Sequence, residues 1–354
     1  MNKSKKYKVL IIDDSALTRQ ILSQILSSDP EIDVIGTAHD PIFAARKIMS
    51  DPPDVITLDI NMPRMDGITF LKHLMNQKPL PVVIISGITE QDSILAMQAL
   101  ELGAVEVINK PSNSSLEEFK IRICDSIKAA AQAKIIKRKF FIQKNNTIFY
   151  PKIKNYNVFK KNSSYKVIAI GASTGGTEAI KSILEKLDIN TPGIVIVQHM
   201  PEKFTYYFAN RLNDICKIKV KEAESGDLVE PGIALIAPGN KHMTIKKSND
   251  SFYVELSTGP LVNRHRPSVD VLFESVAAQA EDKAIGIILT GMGNDGAKGL
   301  LKMKEAGSFT IAQDKNSSVV FGMPQEAIKI GASDIILDLN EIPSFLINEL
   351  KIYS

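Results

Sequence analysis

The sequence predicts an α/β protein in two folded parts: an N-terminal five-stranded doubly wound domain, and a C-terminal α/β parallel-sheet domain with an antiparallel hairpin addition. Three observations carry that reading. At 354 residues the chain exceeds what one hydrophobic core usually spans, and 44% hydrophobic with 23% charged residues is ordinary for a globular protein. Short apolar runs alternate with amphipathic stretches in two separate series. Charge is partitioned along the chain: residues 1–128 hold 14 Lys and Arg against 17 Asp and Glu, residues 129–164 hold nine against none, and residues 165–354 hold 20 against 23. The net charge of +3 therefore comes from the middle segment, and each folded part is net negative. The expected division is a domain over 1–128, a basic linker over 129–164, and a second domain over 165–354.

In the first series the strand-like runs are Val9 to Ile12, Val34 to Gly36, Val55 to Leu58, Val82 to Ile85 and Val105 to Ile108. Helical patterns such as Ser15 to Ser27 and Ile94 to Leu102 lie between them, and a last helix from near Ser115 is expected to run past Ala133. The second series starts at Val167 to Ile170 and continues with Ile194 to Val197, Ile233 to Ala237, Ile285 to Leu289 and Phe309 to Ala312. Met243 to Lys247 and Phe252 to Leu256, joined at Ser248, Asn249 and Asp250, read as a hairpin. In such sheets ligands sit at the carboxyl ends of the strands.

A nucleic-acid-binding output should carry its basic surface on the fold itself. Here Lys134, Lys137, Arg138, Lys139, Lys144, Lys152, Lys154, Lys160 and Lys161 stand among Asn, Ser and Pro, which is a linker signature, so no nucleic-acid partner is expected. After the basic start the apolar run Val9 to Ile12 is cut by Asp13 and Asp14, too soon for a signal peptide or a membrane span. A cytoplasmic monomer without membrane insertion is the expectation. Cys124 and Cys216 are far apart with no metal or disulfide spacing, and both are expected to be buried.

Chemistry concentrates at the predicted strand ends. Asp13 and Asp14 follow the first strand, Asp59 the third, Ser86 the fourth and Lys110 the fifth, just before Pro111. Converging carboxylates call for a cation, and open all-oxygen ligation suits Mg²⁺. Asp59 can then attack a phosphoryl group whose oxygens the metal and Lys110 neutralise and Ser86 hydrogen-bonds. Through Asp13-Asp14-Ser15, Asp59-Ile60-Asn61-Met62-Pro63, Met65-Asp66-Gly67, Ser86-Gly87 and Lys110-Pro111, residues 7–128 resemble response-regulator receiver domains. The resemblance implies Asp59 as phosphoacceptor and Asp14, Asp59 and the Asn61 carbonyl as metal ligands. Many receivers carry an aromatic switch residue three before the lysine; Val107 stands there, so signalling by aromatic rotation is not expected.

In the second half, Gly171-Ala172-Ser173-Thr174-Gly175-Gly176 follows a strand and opens a helix. As a dinucleotide fingerprint it is poor, because a serine takes the second glycine position and the next strand ends in Gln198-His199 instead of an acidic residue. As a G-x-S-x-G nucleophile elbow it is good. His39 and His73 fall in the first domain, which leaves His199, His242 and His265 as bases. His199 directly follows a strand and ranks first. Asp295, in Thr290-Gly291-Met292-Gly293-Asn294-Asp295-Gly296, is the favoured orienting carboxylate and Asp314 its competitor. The backbone N–H groups of Thr174 or Met292 are oxyanion-hole candidates.

The order Ser, His, Asp differs from the Ser, Asp, His of ordinary α/β-hydrolases. It resembles instead the chemotaxis protein-glutamate methylesterase family, through Gly171 to Gly176, Gln198-His199-Met200-Pro201, Arg264-His265-Arg266-Pro267-Ser268-Val269-Asp270 and Thr290 to Gly296. With the receiver placed N-terminally, the likeness covers nearly everything outside the linker. It implies Ser173 as nucleophile, His199 as base and Asp295 as orienter, with no cofactor for the esterase chemistry. It implies a phosphorylation-activated serine esterase hydrolysing glutamate methyl esters on the cytoplasmic helices of chemoreceptors, with glutamine deamidation beside it and a chemotaxis histidine kinase as phosphodonor. Arg264, Arg266 or the linker lysines are candidates for docking that acidic substrate, against a reading in which the arginines only form surface ion pairs. Two rival classes are a receiver-driven transcription factor, for which no helix-turn-helix or basic output domain follows the linker, and a non-catalytic nucleotide-binding module.

Overall fold

The computed structural model describes residues 6–62, 65–87, 89–110, 116–135 and 165–351. The chain divides into two compact units. The N-terminal one alternates strands and helices: β1 (Tyr7–Ile12), α1 (Ala16–Ser27), β2 (Ile32–Ala38), α2 (Pro41–Ser50), β3 (Val55–Asp59), α3 (Gly67–Gln77), β4 (Val82–Ser86), α4 (Glu90–Glu101), β5 (Glu106–Asn109) and α5 (Leu116–Gln132). The strand order is β2-β1-β3-β4-β5, with every pairing parallel. Every residue of β3 and β4 is buried, as expected of parallel strands covered by helices on both faces.

Caps fix where the helices begin. Ser15, Asp40 and Asp66 accept the N–H groups of Thr18, Phe43 and Thr69, so α1, α2 and α3 start at the carboxyl ends of their strands. The helix expected from Ile94 starts at Glu90, because Thr89 and Asp92 form a reciprocal capping box; its polar first turn is invisible to hydrophobic periodicity. The last helix ends at Gln132 and does not run past Ala133.

The C-terminal unit contains β6 (Val167–Ala172), α6 (Gly176–Leu184), β7 (Gly193–Gln198), α7 (Phe204–Ile215), β8 (Lys219–Glu222), β9 (Ile233–Ile236), β10 (His242–Ser248), β11 (Ser251–Ser257), α8 (Val269–Ala280), β12 (Ala284–Ile288), α9 (Ala297–Glu305), β13 (Phe309–Gln313), α10 (Met323–Lys329), β14 (Ile335–Leu337) and α11 (Glu341–Lys351). Seven strands run parallel in the order β14-β13-β12-β6-β7-β9-β8, and β10 pairs antiparallel with β11 as the separate hairpin. The edge strands β8 and β14 are short additions that the apolar runs did not announce.

The core of this unit joins sheet, hairpin and helices: Val269, Phe273 and Val276 of α8 cluster with Val167 and Ala169 of β6, Met243 and Ile245 of β10, and Leu300 of α9. The start of α8 sits directly on the end of β6, since a Cβ at Gly171 would lie 2.1 Å from Val269. That close approach brings a helix N-terminus to the carboxyl edge of the sheet.

Most of the basic linker, residues 136–164 with Lys137, Arg138, Lys139, Lys144, Lys152, Lys154, Lys160 and Lys161, lies outside the described residues, as do Pro63 and Pro111. Cys124 is buried, whereas Cys216 is only half-buried, against the expectation for both. Among the described residues no helix is long and apolar enough to cross a membrane.

Candidate active site

Ser173 is the residue after β6. Its N–H donates to the Thr290 carbonyl at 3.0 Å, and its own carbonyl accepts from Gly176 N–H at 2.7 Å and Gln198 Nε2 at 2.9 Å, which closes a tight strand-to-helix turn. Gly175 takes a left-handed φ of 78° in that turn, and a Cβ at Gly291 would lie 2.7 Å from the Ser173 Cβ. Both glycines are required by geometry: one by its backbone conformation, the other by the close approach of Thr290-Gly291 to the serine.

β7 lies beside β6 with Gln198 opposite Ala172, and the His199 N–H donates to the Ala172 carbonyl at 3.1 Å. His199 therefore stands at the strand end adjacent to Ser173. Its ring is buried; Nε2 lies 2.8 Å from Asp295 Oδ2, while Nδ1 is buried without a hydrogen bond. Because an ionised carboxylate only accepts, the neutral ring carries its proton on Nε2 and keeps the lone pair on Nδ1.

Asp295 is buried among donors. Oδ1 accepts from Asn263 Nδ2 at 2.7 Å, Ser268 Oγ at 2.7 Å and Asp270 N–H at 3.2 Å, and Oδ2 accepts from Val269 N–H at 2.7 Å beside His199. Val269 and Asp270 open α8, so Asp295 is the anion at that helix N-terminus, where backbone N–H groups and the helix dipole favour negative charge. Burial alone pushes its pKa up; the hydrogen bond and charge of His199, then Asn263 and Ser268, outweigh it and hold the carboxyl well below the usual carboxylate range. Asp270 returns the arrangement to α9, accepting from Gly299 N–H at 2.7 Å. Its pKa is raised, first by burial and then by the charge of Asp295 among other groups.

The other candidates separate cleanly. Asp314 accepts from Ser317 N–H at 2.9 Å and Ser317 Oγ at 2.6 Å, which makes it the residue that closes its own turn. His242 is buried with Nε2 on the Pro260 carbonyl at 2.9 Å and Nδ1 accepting from Ser268 N–H at 3.3 Å, so both nitrogens are engaged. His265 stacks on His199, with ring centroids 3.7 Å apart and planes 11° from parallel. Thr174 is buried and its carbonyl accepts from Thr290 Oγ1 at 3.0 Å, whereas the Met292 amide takes no part in the bonds that fix Gly291, Gly322 and Met323. Arg266 makes neither the expected surface ion pair nor a free docking group: its guanidinium donates to Asn240 Oδ1 at 3.0 and 2.7 Å and to the Thr258 and Gly259 carbonyls at 3.3 and 2.7 Å.

The N-terminal unit gathers its own carboxylates. Oxygens of Asp13, Asp14 and Asp59 lie within 4.8 Å of one another, with Asp13 and Asp59 buried and Asp14 exposed. Lys110 Nζ donates to Asp59 Oδ2 at 2.8 Å and lies 3.2 Å from Asp13 Oδ2 without hydrogen-bond geometry, so that oxygen is an ion-pair partner and otherwise unbonded. Asp13 Oδ1 accepts from Ser15 N–H at 2.8 Å. Burial raises the pKa of Asp13 and of Asp59, more than the bonds from Lys110 lower it. Ser86 Oγ is fully buried with no partner. The Asn61 side chain is turned to Asp92 of the capping box. Val107, at the place of an aromatic switch, is a buried core residue.

Residues 168–346 match the family model described as CheB methylesterase, and residues 9–120 match the response regulator receiver domain model. The chain belongs to the CheB methylesterase family. Two relatives of the family are named protein-glutamate methylesterase/protein-glutamine glutaminase. That of Leptospira interrogans is 56% identical over 338 residues, 95% of this chain and 97% of that protein. That of Rhodospirillum rubrum is 54% identical over 349 residues, 95% of this chain and 96% of that one. Among solved structures, the catalytic domain of Thermotoga maritima CheB methylesterase is similar at 42% identity and a TM-score of 0.51, covering 52% of this chain and 98% of that chain. Family membership makes the chain a receiver-bearing carboxylic ester hydrolase of the α/β class.

The motifs hold more residues of the site than their residue types announce. Gln198 stands beside His199, yet its role shows only once Nε2 is seen donating to the Ser173 carbonyl at 2.9 Å and the His199 carbonyl at 3.1 Å, joining the two strand ends. Ser268 and Asp270 lie in a quoted motif, but a serine before a helix reads as an N-cap; here its hydroxyl donates to Asp295 and caps nothing. Asn263 precedes that motif and carried no signal.

Proposed function

We propose that Ser173, His199 and Asp295 are the catalytic triad of a phosphorylation-activated esterase that hydrolyses methylated glutamates on the cytoplasmic helices of chemoreceptors. In this reading His199 Nδ1 takes the proton as Ser173 Oγ attacks the ester carbonyl. The tetrahedral oxyanion is held by backbone N–H groups of the Thr174 and Met292 turns, the carbonyl–methoxy bond breaks, and methanol leaves with the proton from His199. Water then attacks the acyl-serine with His199 again as base, releasing glutamate and restoring the hydroxyl. Asp295 holds the Nε2–H tautomer and stabilises the imidazolium. A primary amide at the same carbonyl gives ammonia by the same steps, which is the deamidation named for the relatives. The observation that supports the reading is the buried His199 ring, clamped to Asp295 through Nε2 and unbonded at Nδ1, on the strand end adjacent to that of Ser173.

Receiver domains are phosphorylated in a Mg²⁺-dependent way, and the residues present fit that group: an all-oxygen carboxylate cluster too crowded with negative charge to stay comfortably ionised alone, and the unpartnered Ser86 hydroxyl. Asp14, Asp59 and the Asn61 carbonyl would hold the ion, which supplies charge neutralisation at the phosphoryl oxygens. Asp59 is the acceptor, Lys110 pairs with the new charge and Ser86 donates to a phosphoryl oxygen. A chemotaxis histidine kinase supplies the phosphoryl group, and the reaction takes place in the cytoplasm.

The test is methanol release from methyl-labelled receptor by the intact chain with a small phosphodonor and Mg²⁺. Ser173→Ala is expected to lower the rate by about 10⁴-fold or more, because it removes the nucleophile on which the base and the orienting carboxylate act. Retention of activity in that variant would remove the assignment.

A further inference from the structure

The segment before α8 reaches both partners of the His–Asp pair from one tight turn. Val262 and His265 exchange backbone hydrogen bonds, Val262 N–H to the His265 carbonyl at 3.1 Å and His265 N–H to the Val262 carbonyl at 2.9 Å. The two residues between them, Asn263 and Arg264, both have positive φ, 50° and 67°. This is the geometry of a two-residue primed turn, which asparagine tolerates and arginine adopts only when its surroundings impose it. The Asn263 amide sends one N–H to Asp295 Oδ1 and one to Asp270 Oδ2, each at 2.7 Å. On the next side of the turn the His265 ring lies 3.7 Å over the His199 ring.

The two contacts do different work. A hydrogen bond from His199 Nε2 to Asp295 fixes one atom of the ring, but an imidazole held at one nitrogen still pivots about that bond, because the torsion at its ring is broad. A second ring in van der Waals contact and nearly parallel removes that freedom and fixes where Nδ1 points. On the carboxylate side, Asn263 joins Ser268 and Asp270 on the Asp295 oxygen turned away from His199, and it alone also bridges to the Asp270 carboxylate, separating two buried carboxylates with a shared donor.

We propose that the Val262–His265 turn is a positioning device for the reaction: His265 fixes the plane of the His199 base and Asn263 fixes the rotation of Asp295. Both act through His199 or Asp295, so both are positioning residues, and the proposal rests on the assignment of Ser173, His199 and Asp295.

The test uses the full chain, activated by phosphodonor and assayed by methanol release, with the rate of phosphonate labelling at Ser173 as a second readout. His265→Ala is expected to lower kcat and the labelling rate about 10- to 100-fold with KM little changed, the size of effect that a small misplacement of a catalytic group produces. His265→Phe, which keeps a flat ring and loses the nitrogens, is expected to recover most of that loss. Asn263→Gly, which keeps the positive φ and removes the amide, is expected to lower kcat about 10-fold. In histidine-labelled protein the low-field proton of the His199–Asp295 hydrogen bond should broaden or shift in His265→Ala and return in His265→Phe. An unchanged kcat in folded His265→Ala overturns the proposal, and so does a His265→Phe as impaired as the alanine variant, which would assign the effect to the nitrogens. Activity surviving in Ser173→Ala is the separate outcome that removes the triad itself.

Discussion

Two carboxylate sites at the carboxyl edges of two parallel sheets have opposite electrostatics. Asp59 lies between Asp13 and Lys110 with few donors, and burial drives its pKa up. Asp295 is equally buried but takes N–H and O–H groups from Asn263, Ser268, Val269 and Asp270 as well as His199, and its pKa is driven down. One site is under-supplied with positive charge as long as no cation joins Lys110 there; the other already has its full set of donors. The difference fits the two roles proposed for them. A phosphoacceptor has to change state, so an uncompensated charge suits it, whereas an orienting carboxylate has to stay the same through every turnover.

The largest effect expected from this contrast is on catalysis. Asp295→Asn keeps the shape of the side chain but presents an amide where only acceptors fit, and should lower methanol release by about 10³- to 10⁴-fold through the wrong His199 tautomer. Asp314→Asn, which perturbs only the turn to Ser317, should change the rate less than about threefold. If the Asp314 variant is the more damaged of the two, the donors around Asp295 serve folding and the orienter lies elsewhere. On the other side of the comparison, Asp59→Asn should abolish labelling by a radioactive small phosphodonor in Mg²⁺, and Asp14→Ala should slow it. Undiminished labelling of Asp59→Asn would move the acceptor to another carboxylate.

How much of this was legible in the sequence depends on how local each signal is. The strand ends were readable because apolar runs stop just before Asp13, Asp59, Ser86, Gly171 and Gln198, and βα alternation made both sheets parallel; the order of the strands within each sheet was not readable, because it depends on which strands meet in space. The hairpin of β10 and β11 was readable from its turn at Asn249 and Asp250. What was not readable is whatever depends on a second segment arriving. Asn263 and Ser268 look like loop residues until α8 is packed on β6 at Gly171 and brings both to Asp295. The left-handed Arg264 and the stack of His265 on His199 are tertiary facts with no period and no composition behind them. Likewise the start of α4 rests on the exchange between Thr89 and Asp92, not on an apolar face.

Stability gives a finer probe of the same contrast, because the two shifts have opposite sign. For Asp295 the folded pKa lies below the unfolded one, so its ionised form stabilises the fold. That contribution is complete above the ordinary carboxylate pKa near 4 and is lost as pH falls below it. Asp295→Asn should therefore destabilise the C-terminal unit at pH 7, by about 2 kcal/mol or more given the buried donors left unpaired, and the gap to the wild type should narrow between about pH 4 and pH 3. For Asp59 the folded pKa is raised, so the ionised form is the unfavourable one: stability is present at low pH and lost as pH rises through the raised value. In the absence of divalent cations, Asp59→Asn should raise the melting temperature of the N-terminal unit at pH 7 by roughly 2–4 °C, and the gain should fade on acidification. Adding Mg²⁺ should erase it, since a cation compensates the wild-type carboxylates and has less to bind in the variant. Urea and thermal unfolding of both variants across pH 3–7, followed with probes in each unit, measure the two differences side by side. Opposite slopes with pH are the expected result. Parallel slopes would mean that burial governs both carboxylates alike and that the donors around Asp295 do not set it apart.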